Sequence, residues 1–383
     1  MIKIAFLIPS LHYGGAERQL VTLVKALDKK CFDITLLYCY PGGPLEKDLE
    51  DSGVKIISLE KGGRWDLFSF FWRLIHYLKT IQPDVLHGYL STPNLLTIFL
   101  KPFFPSTQMI WGVRGSNEDL TRFDWLSRLL FPWECFLSRF ADLIILNSYA
   151  GRAYYLAHGC PADKMVVIPN GIDTERFKPD LEARVKVRLE WGILEETIVI
   201  GLVARLHPMK DHPTFLKAAA LLCKDRQDVC FVCVGSGSEN YTQELYQLAD
   251  KLNISEKVIW AGSRADMPAV YNALDIVSSS SSYGEGFSNV IGEAMACGVP
   301  CVVTDVGDSA WIVEDTGIVI PPQNPEALAE GWSLLLKQQQ YKNPVIKLKT
   351  RSKIISEFNC NKLVQNIAAL LEQKSPDVLG YKK

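Results

Sequence analysis

A short apolar run that stops at a tight loop and passes straight into a helix-like segment occurs twice in this chain. No other feature constrains its fold as much. The first copy begins at Ile2 with KIAFLI, continues through the loop HYGGAE with Gly14 and Gly15, and keeps a helical pattern to Leu27. Further β-rich pieces follow at DITLLY, VKIISL, DVLHGY, MIWGV and DLIILNS, with helical segments between them. The second copy begins near Thr197 with TIVIGLV, an exit loop over 204–211 and the helical HPTFLKAAALLC. VCFVCVGSG, KVIWAG, DIVSSS, PCVVTD and GIVIP then recur between helical patterns. Strands alternating with helices predict βαβ units and a mostly parallel sheet. The Pro- and Gly-bearing stretch IPNGIDTERFKP, 168–179, divides the two copies. The chain therefore reads as an α/β protein of two Rossmann-like, doubly wound parallel-sheet domains facing each other across a cleft. The expected boundaries are 1–168 for the first domain, 169–180 for a linker and 181–355 for the second domain. A C-terminal helical segment, 356–383, is expected to return to the first domain. In such sheets ligands sit outside the carboxyl ends of the strands, so each domain can offer one substrate site.

Composition narrows the function. At 383 residues, with 48% hydrophobic and 22% charged side chains, the chain is neither disordered nor fibrous. Its 41 Lys and Arg nearly balance 43 Asp and Glu, which argues against nucleic acid as a partner. The ten cysteines are scattered, and the C-x-x-C of Cys230 and Cys233 lies inside the strand-like VCFVCV. Two residues three apart on a strand point to opposite faces, so this pair is expected to be buried thiol rather than a zinc or redox centre, in a reducing compartment. The opening MIKIAFLIPS stops at Pro9 and Ser10 and reads as a strand, not a signal peptide. No run approaches the ~20 apolar residues of a spanning helix. A cytoplasmic location is expected, extending to a peripheral position on the inner face of the cell membrane.

Three segments carry chemistry. Gly14 and Gly15 let the backbone approach a ligand where a helix starts with free N–H groups. The spacing is not G-x-G-x-x-G, which argues against a dinucleotide fingerprint. After TIVIGLV, Arg205 and Lys210 stand five apart on an exit loop, where a guanidinium fork and an ammonium can grip a diphosphate from two sides. The sharpest segment is SSSSSYGEGFSNVIGEAMACGVP, 278–300. Five serines end a strand, a glycine-rich loop follows, and a helix begins near Ser288. Glu285 lies in the loop. Glu293 lies eight residues on, expected to be buried on a small apolar helix face. The backbone N–H groups of Gly286, Phe287, Ser288 and Asn289 would meet an anion. The two carboxylates would accept from sugar or ribose hydroxyls.

At these residues the chain resembles the retaining glycosyltransferase family 4, with the GT-B fold, and the resemblance covers nearly its whole length. Glu285 and Glu293 match the E-x7-E motif of the nucleotide-sugar site. Arg205 and Lys210 match the cationic pair on the donor diphosphate. Gly15 matches the glycine packed against the diphosphate and transferred sugar, and IPNGID, 168–173, resembles the interdomain signature. The sequence departs from the family on the acceptor side. Many relatives carry His-x-His after the strand matching DVLHGY, whereas here His87 is followed by Tyr89. Arg114 stands in WGVRGSN where a histidine is common.

The resemblance implies a metal-independent retaining hexosyltransferase with a nucleoside diphosphate sugar, UDP favoured, as donor substrate and no further cofactor. No D-x-D pattern for a divalent ion is present. Glu285 would hold sugar hydroxyls and Glu293 the ribose, with Arg264 in GSRADMP near the base or ribose. His87 would orient or briefly accept a proton, and Arg114 would fix a phosphate of donor or acceptor. Residues 61–140 hold Trp65, Trp72, Trp111, Trp125 and Trp133 among cations. That mixture suits either a core or a membrane surface that delivers a lipid-linked saccharide acceptor. Sucrose- or starch-type synthesis and non-catalytic sugar-nucleotide binding are the competing readings.

Overall fold

The computed structural model describes residues 1–63, 65–116, 125–337 and 339–372. It divides into two compact units, one of 1–171 with the segment from Cys360 onward, the other of 172–359.

The first unit is a seven-stranded parallel sheet. Its strands are β1 (Ile2–Ser10), β2 (Phe32–Tyr40), β3 (Lys55–Ser58), β4 (Val85–Tyr89), β5 (Gln108–Val113), β6 (Leu143–Leu146) and β7 (Met165–Val167). Their order is β3-β2-β1-β4-β5-β6-β7. The second unit has β8 (Ile198–Val203), β9 (Val229–Val234), β10 (Val258–Gly262), β11 (Ile276–Ser279), β12 (Cys301–Thr304) and β13 (Ile318–Ile320). They are ordered β10-β9-β8-β11-β12-β13, all pairs parallel. The two sheets share one doubly wound order, and in each it reverses beside the first strand. The reversal falls between β1 and β4 in one unit and between β8 and β11 in the other. It therefore places the loops after those strands at the ligand-binding edge.

Alternation along the strands explains the layers. Ile4, Phe6 and Ile8 pack on Leu20 and Val24 of the helix Gly15–Ala26 and on Leu363 and Ile367 of the helix Cys360–Glu372. Ala5 and Leu7 face the other way, onto Phe70, Leu74 and Leu78 of the helix Phe68–Ile81. In the second unit Ile198, Ile200 and Leu202 meet Phe215 and Trp332, while Val199 and Val203 meet Tyr271, Ile291 and Met295. Sheets buried on both faces are built from such unbroken apolar runs. Cys233 and Cys230 fall into the two opposite cores of this unit, as their spacing requires.

The IPNGID segment is where the chain leaves the first unit. Gln19 holds Gly171 at both ends, donating from Nε2 to its carbonyl at 2.9 Å and accepting its N–H at 3.1 Å. A Cβ on Gly171 would stand 2.8 Å from the Cα of Cys360, so only glycine lets the outgoing and returning chains pass this closely. In the second unit the N–H of Ile172 donates to the Phe358 carbonyl at 2.7 Å, beside the same crossing. The three-residue β7, the helix Leu181–Glu190 and the short helix Ser309–Val313 lie outside the quoted segments.

Candidate active site

The second unit brings two of its predicted residues, Lys210 and Glu285, into contact. β8 ends at Val203 and its exit loop carries an exposed Arg205 and a partly buried Lys210. β11 ends at Ser279 and leads into the loop of Glu285, which is only 7% exposed. Lys210 Nζ donates to Glu285 Oε1, and Ser281 Oγ donates to the same oxygen at 2.6 Å. Burial alone would raise this carboxyl, but the Lys210 charge and the two hydrogen bonds outweigh it and hold it below the ordinary value. Glu285 is therefore a carboxylate, able only to accept, and fixed in direction. The ammonium of Lys210 has three N–H bonds, so one contact to Glu285 leaves it able to reach a phosphate as well.

The serine run is the frame of this site, and its pattern gave no sign of how the work is divided. Ser278 Oγ accepts from Trp332 Nε1 at 2.7 Å, which anchors the strand end in the core. Ser280 Oγ donates to the Lys210 carbonyl at 2.8 Å, and the N–H of Ser282 donates to the Met209 carbonyl at 2.9 Å. The two loops are thus sewn together, with Ser281 on the carboxylate between them. Gly307 backs the loop. Its φ is +62°, and a Cβ there would meet the Glu285 carbonyl at 2.3 Å. The N–H of Asp308 then donates to the Gly286 carbonyl at 3.1 Å. Gly284, at φ +77°, makes the turn before Glu285.

Glu293 differs from its expectation. It sits in the helix Asn289–Ala296 but is half-buried rather than buried, and Tyr271 Oη donates to its Oε2 at 2.7 Å. Tyr271 is fully buried, so it aims the carboxylate from below. Ser288 is the residue before this helix and Asn289 its first. Phe287 turns its ring into the core, 5.2 Å from Phe358, so only its backbone can serve a ligand. Arg264 is held by carboxylates of its own unit: it donates to both oxygens of Asp266, at 2.8 and 2.7 Å, and to Glu190. It stands outside the Lys210–Glu285 group.

In the first unit the loop after β1 passes Gly14 into the helix starting at Gly15. A Cβ on Gly14 would meet Glu17 Oε2 at 2.1 Å, so a side chain there would displace the Glu17 carboxylate from the helix start. His87 departs from the expectation of a group that meets substrate. Its ring has no exposed surface and lies between Phe6 and Tyr89, with centroids 5.3 and 4.7 Å away. Burial, then the neighbouring Arg114 charge, pushes its pKa well below the ordinary value, so the imidazole is neutral. It lies beneath Tyr89 and Arg114, which makes it a positioning residue in this conformation. Arg114 is partly exposed, with its guanidinium carbon 4.5 Å from the centre of the Tyr89 ring.

The aromatic-rich segment separates into two populations. Trp111 is completely buried and donates from Nε1 to Thr97 Oγ1 at 2.9 Å. Trp65, Trp72 and Trp133 are 84%, 49% and 56% exposed, so they are not core. The Trp125 side chain lies outside the described residues, as do Asn117 and the chain beyond 372.

Comparison with known proteins agrees with this division. Residues 13–176 match the model of Glycosyltransferase Family 4 and residues 185–355 that of Glycosyl transferases group 1. The chain is 26% identical over 385 residues to the UDP-Gal:alpha-D-GlcNAc-diphosphoundecaprenol alpha-1,3-galactosyltransferase of Escherichia coli, covering 96% of each chain. It is 30% identical over 210 residues to the D-inositol 3-phosphate glycosyltransferase of Corynebacterium glutamicum (strain R), covering 52% of this chain and 50% of that one. Among solved structures, Anabaena Alr3699/HepE in complex with UDP-glucose superposes with a TM-score of 0.84 at 24% identity, covering 97% of this chain and all of that one. Two family models that together span both units, and a fold shared over nearly the full length, establish that the chain is a glycosyltransferase of family 4 with the GT-B fold.

Proposed function

We propose that the chain is a retaining glycosyltransferase that moves a hexosyl group from a UDP-sugar to a hydroxyl of a lipid-linked or polysaccharide-precursor acceptor. The observation that carries this reading is the Lys210–Glu285–Ser281 group, with Arg205 on the same exit loop as Lys210, at the point where the second sheet reverses. As the bond from the anomeric carbon to the diphosphate breaks, negative charge grows on the leaving phosphate. Arg205, Lys210 and the backbone N–H groups around Ser288 supply donors there, each worth about 3 kcal/mol in comparable sites. Enough positive charge comes from the chain itself for transfer without a metal ion or any cofactor beyond the donor. Glu285 holds the hydroxyls of the transferred sugar and Glu293 the ribose. Because Glu285 is already engaged by Lys210 and Ser281, it suits orientation better than covalent attack. A front-face transfer, in which the leaving phosphate takes the acceptor's proton, therefore fits the retaining outcome. A uridine donor and a diphosphate-linked acceptor are supported by the names of the Escherichia coli relative and the HepE complex.

The same reading places the first unit on the inner face of the cell membrane. Trp65, Phe68 and Trp72 are exposed close together in sequence, and Phe99, Phe103, Trp133, Phe136 and Phe140 are exposed on neighbouring segments, with an exposed Arg139 among them and Lys101 paired to Asp142. Among the described residues no helix is long and apolar enough to cross a membrane. Rings at headgroup depth with cations toward anionic lipid describe a surface that rests on a bilayer.

The decisive experiment is a hydrolysis and transfer screen over UDP-, GDP- and ADP-sugars. UDP-sugar turnover that disappears in E285Q supports the assignment. Tight UDP binding with no turnover on any acceptor would leave a sugar-nucleotide-binding protein instead. Flotation with phosphatidylglycerol vesicles tests the surface: the W65A/W72A/W133A variant should stay in solution where the wild type floats.

A further inference from the structure

The carboxyl ends of β4, β5 and β6 hold a polar group that the donor chemistry does not use. Tyr89, Gly112 and Ile145 are register partners across these strands. Two residues on, and so on the same sheet face, stand Arg114 and Asn147. They adjoin through the backbone, where the N–H of Asn147 donates to the Val113 carbonyl at 3.2 Å. The row beneath is opened by a missing side chain. A Cβ on Gly112 would lie 3.0 Å from the Gly88 carbonyl, 3.2 Å from His87 Nε2 and 3.4 Å from the Tyr89 ring. Asn94 clamps Gly112 from outside, donating to its carbonyl and accepting its N–H, both at 3.2 Å.

What distinguishes this group is its unmet hydrogen bonding. Arg114 Nε, Asn147 Oδ1 and both ring nitrogens of His87 are buried and have no partner among the described residues. Asn147 is 3% exposed and His87 fully enclosed. Folded proteins leave few buried polar side-chain atoms unpaired, and each costs free energy, so Arg114 Nε and Asn147 Oδ1, side by side just past the ends of β5 and β6, call for a ligand. Its chemistry follows from the atoms. The guanidinium carries a full positive charge and hydrogen-bonds the Tyr89 hydroxyl over whose ring it lies, beside a neutral imidazole, which leaves its Nε and its remaining N–H groups as donors. The amide oxygen offers an acceptor at its side. A phosphate satisfies the first and a hydroxyl the second.

We propose that Arg114 and Asn147 form the acceptor subsite, with the Arg114 guanidinium holding a phosphate of a phosphorylated saccharide and the Asn147 amide accepting from a hydroxyl of the adjoining sugar. This rests on the transferase reading above and assigns the phosphate to the acceptor, not the donor. His87 and Tyr89 are positioning residues beneath it. The phosphate comes either from a polyprenyl diphosphate-linked saccharide or from a soluble sugar 1-phosphate.

The test is calorimetry on the full chain saturated with UDP, so that the donor diphosphate site is filled. Inorganic pyrophosphate is the first probe. Wild type should bind it, and R114A should bind it at least about tenfold more weakly, as expected for a lost charge-assisted contact. R114K should fall between, because the fork is lost and the charge kept. N147D places a carboxylate beside Arg114 and should also weaken binding about tenfold or more. UDP affinity should stay within about twofold throughout. Thermal melts identify any variant that fails to fold, in which case R114K and N147D carry the test. N-acetylglucosamine 1-phosphate and farnesyl diphosphate are then compared under the same conditions, and a preference for either supports the subsite and names its source. No pyrophosphate binding to UDP-loaded wild type, or equal binding in folded R114A, overturns the proposal. So does a parallel loss of UDP affinity in R114A, which would move Arg114 to the donor. Failure of the wild type to bind UDP would instead overturn the transferase reading, a separate result.

Discussion

The two units share a strand order and treat a partly buried cation in opposite ways. In the second, Lys210 is answered from within by Glu285, and Ser281 completes the group. In the first, Arg114 lies over the face of Tyr89, and its Nε has no partner among the described residues. Beneath each cation is a buried, neutral histidine whose ring nitrogens are likewise unpartnered: His212 near Lys210 and His87 near Arg114. A cation matched by its own carboxylate gives a site that is rigid before anything binds. A cation left unmatched must be completed by its ligand. In the proposed transfer the second unit's group would meet charge that develops during reaction, and the first unit's Arg114 charge that arrives with a substrate.

The largest expected effect breaks the matched pair. E285Q keeps the volume and removes the charge, and should lower kcat/KM by about 10²-fold or more, equivalent to about 2.7 kcal/mol. K210M should do similar damage and also destabilise the fold by about 3–5 kcal/mol, because Glu285 is left buried without a counter-charge. The double variant K210M/E285L should recover stability in urea unfolding while remaining inactive. Recovery of activity along with stability would remove both residues from the chemistry.

Arg205 gives a smaller, cleaner contrast. It is exposed and has no carboxylate partner among the described residues, so its loss should cost little stability. R205A should weaken UDP binding about tenfold, or about 1.4 kcal/mol. Since Arg205 and Lys210 would serve one diphosphate, R205A/K210M should depart from additivity. Equal UDP affinity in R205A and wild type by calorimetry would show that the diphosphate lies elsewhere.

How much of this was legible depended on whether a residue's work is local in sequence. The strands could be read because parallel sheets use unbroken apolar runs, and twelve of the thirteen overlap a quoted segment. β7, Met165–Val167, was missed because it runs directly into IPNGID, which reads as the divide between the copies, whereas the equally short β13 stands apart in GIVIP. The meeting of Lys210 and Glu285 was legible because their two loops follow strands that become neighbours. Their support was not: nothing in five consecutive serines tells Ser278, bonded to Trp332, from Ser281, bonded to Glu285. Those differences arise from partners 54 and 4 residues away. The five tryptophans looked alike for the same reason. Trp111 is core because β5 is interior to its sheet, whereas Trp65 lies between elements. Asn147 gave no signal, since an asparagine after a strand is ordinary until Arg114 stands beside it.

The smallest expected effect sharpens the comparison through the two histidines. Burial, and then the Lys210 charge, lowers His212 from 6.5 to about 3, and His87 is lowered in the same sense by burial and Arg114. A group whose folded pKa is depressed binds protons first in the unfolded chain. Its contribution is therefore complete above the ordinary value of 6.5 and is lost as pH falls below it, for His212 down to about 3. Each buried histidine should cost about 1.4 kcal/mol per pH unit in that range. Glu285, also depressed, contributes stability that is lost only as pH falls below its ordinary 4.5, so pH 6.5 to 4.5 belongs to the histidines. Hydrogen exchange read separately in β1–β7 and β8–β13 can assign the two losses. H212L should make the second sheet's protection flatter across this window and leave the first sheet's acid response intact, and H87L should do the reverse. An acid response that neither variant changes would mean that the imidazoles are hydrated or paired in solution. His87 would then be no neutral floor beneath Arg114, and the contrast between a matched and an unmatched cation would lose half its basis.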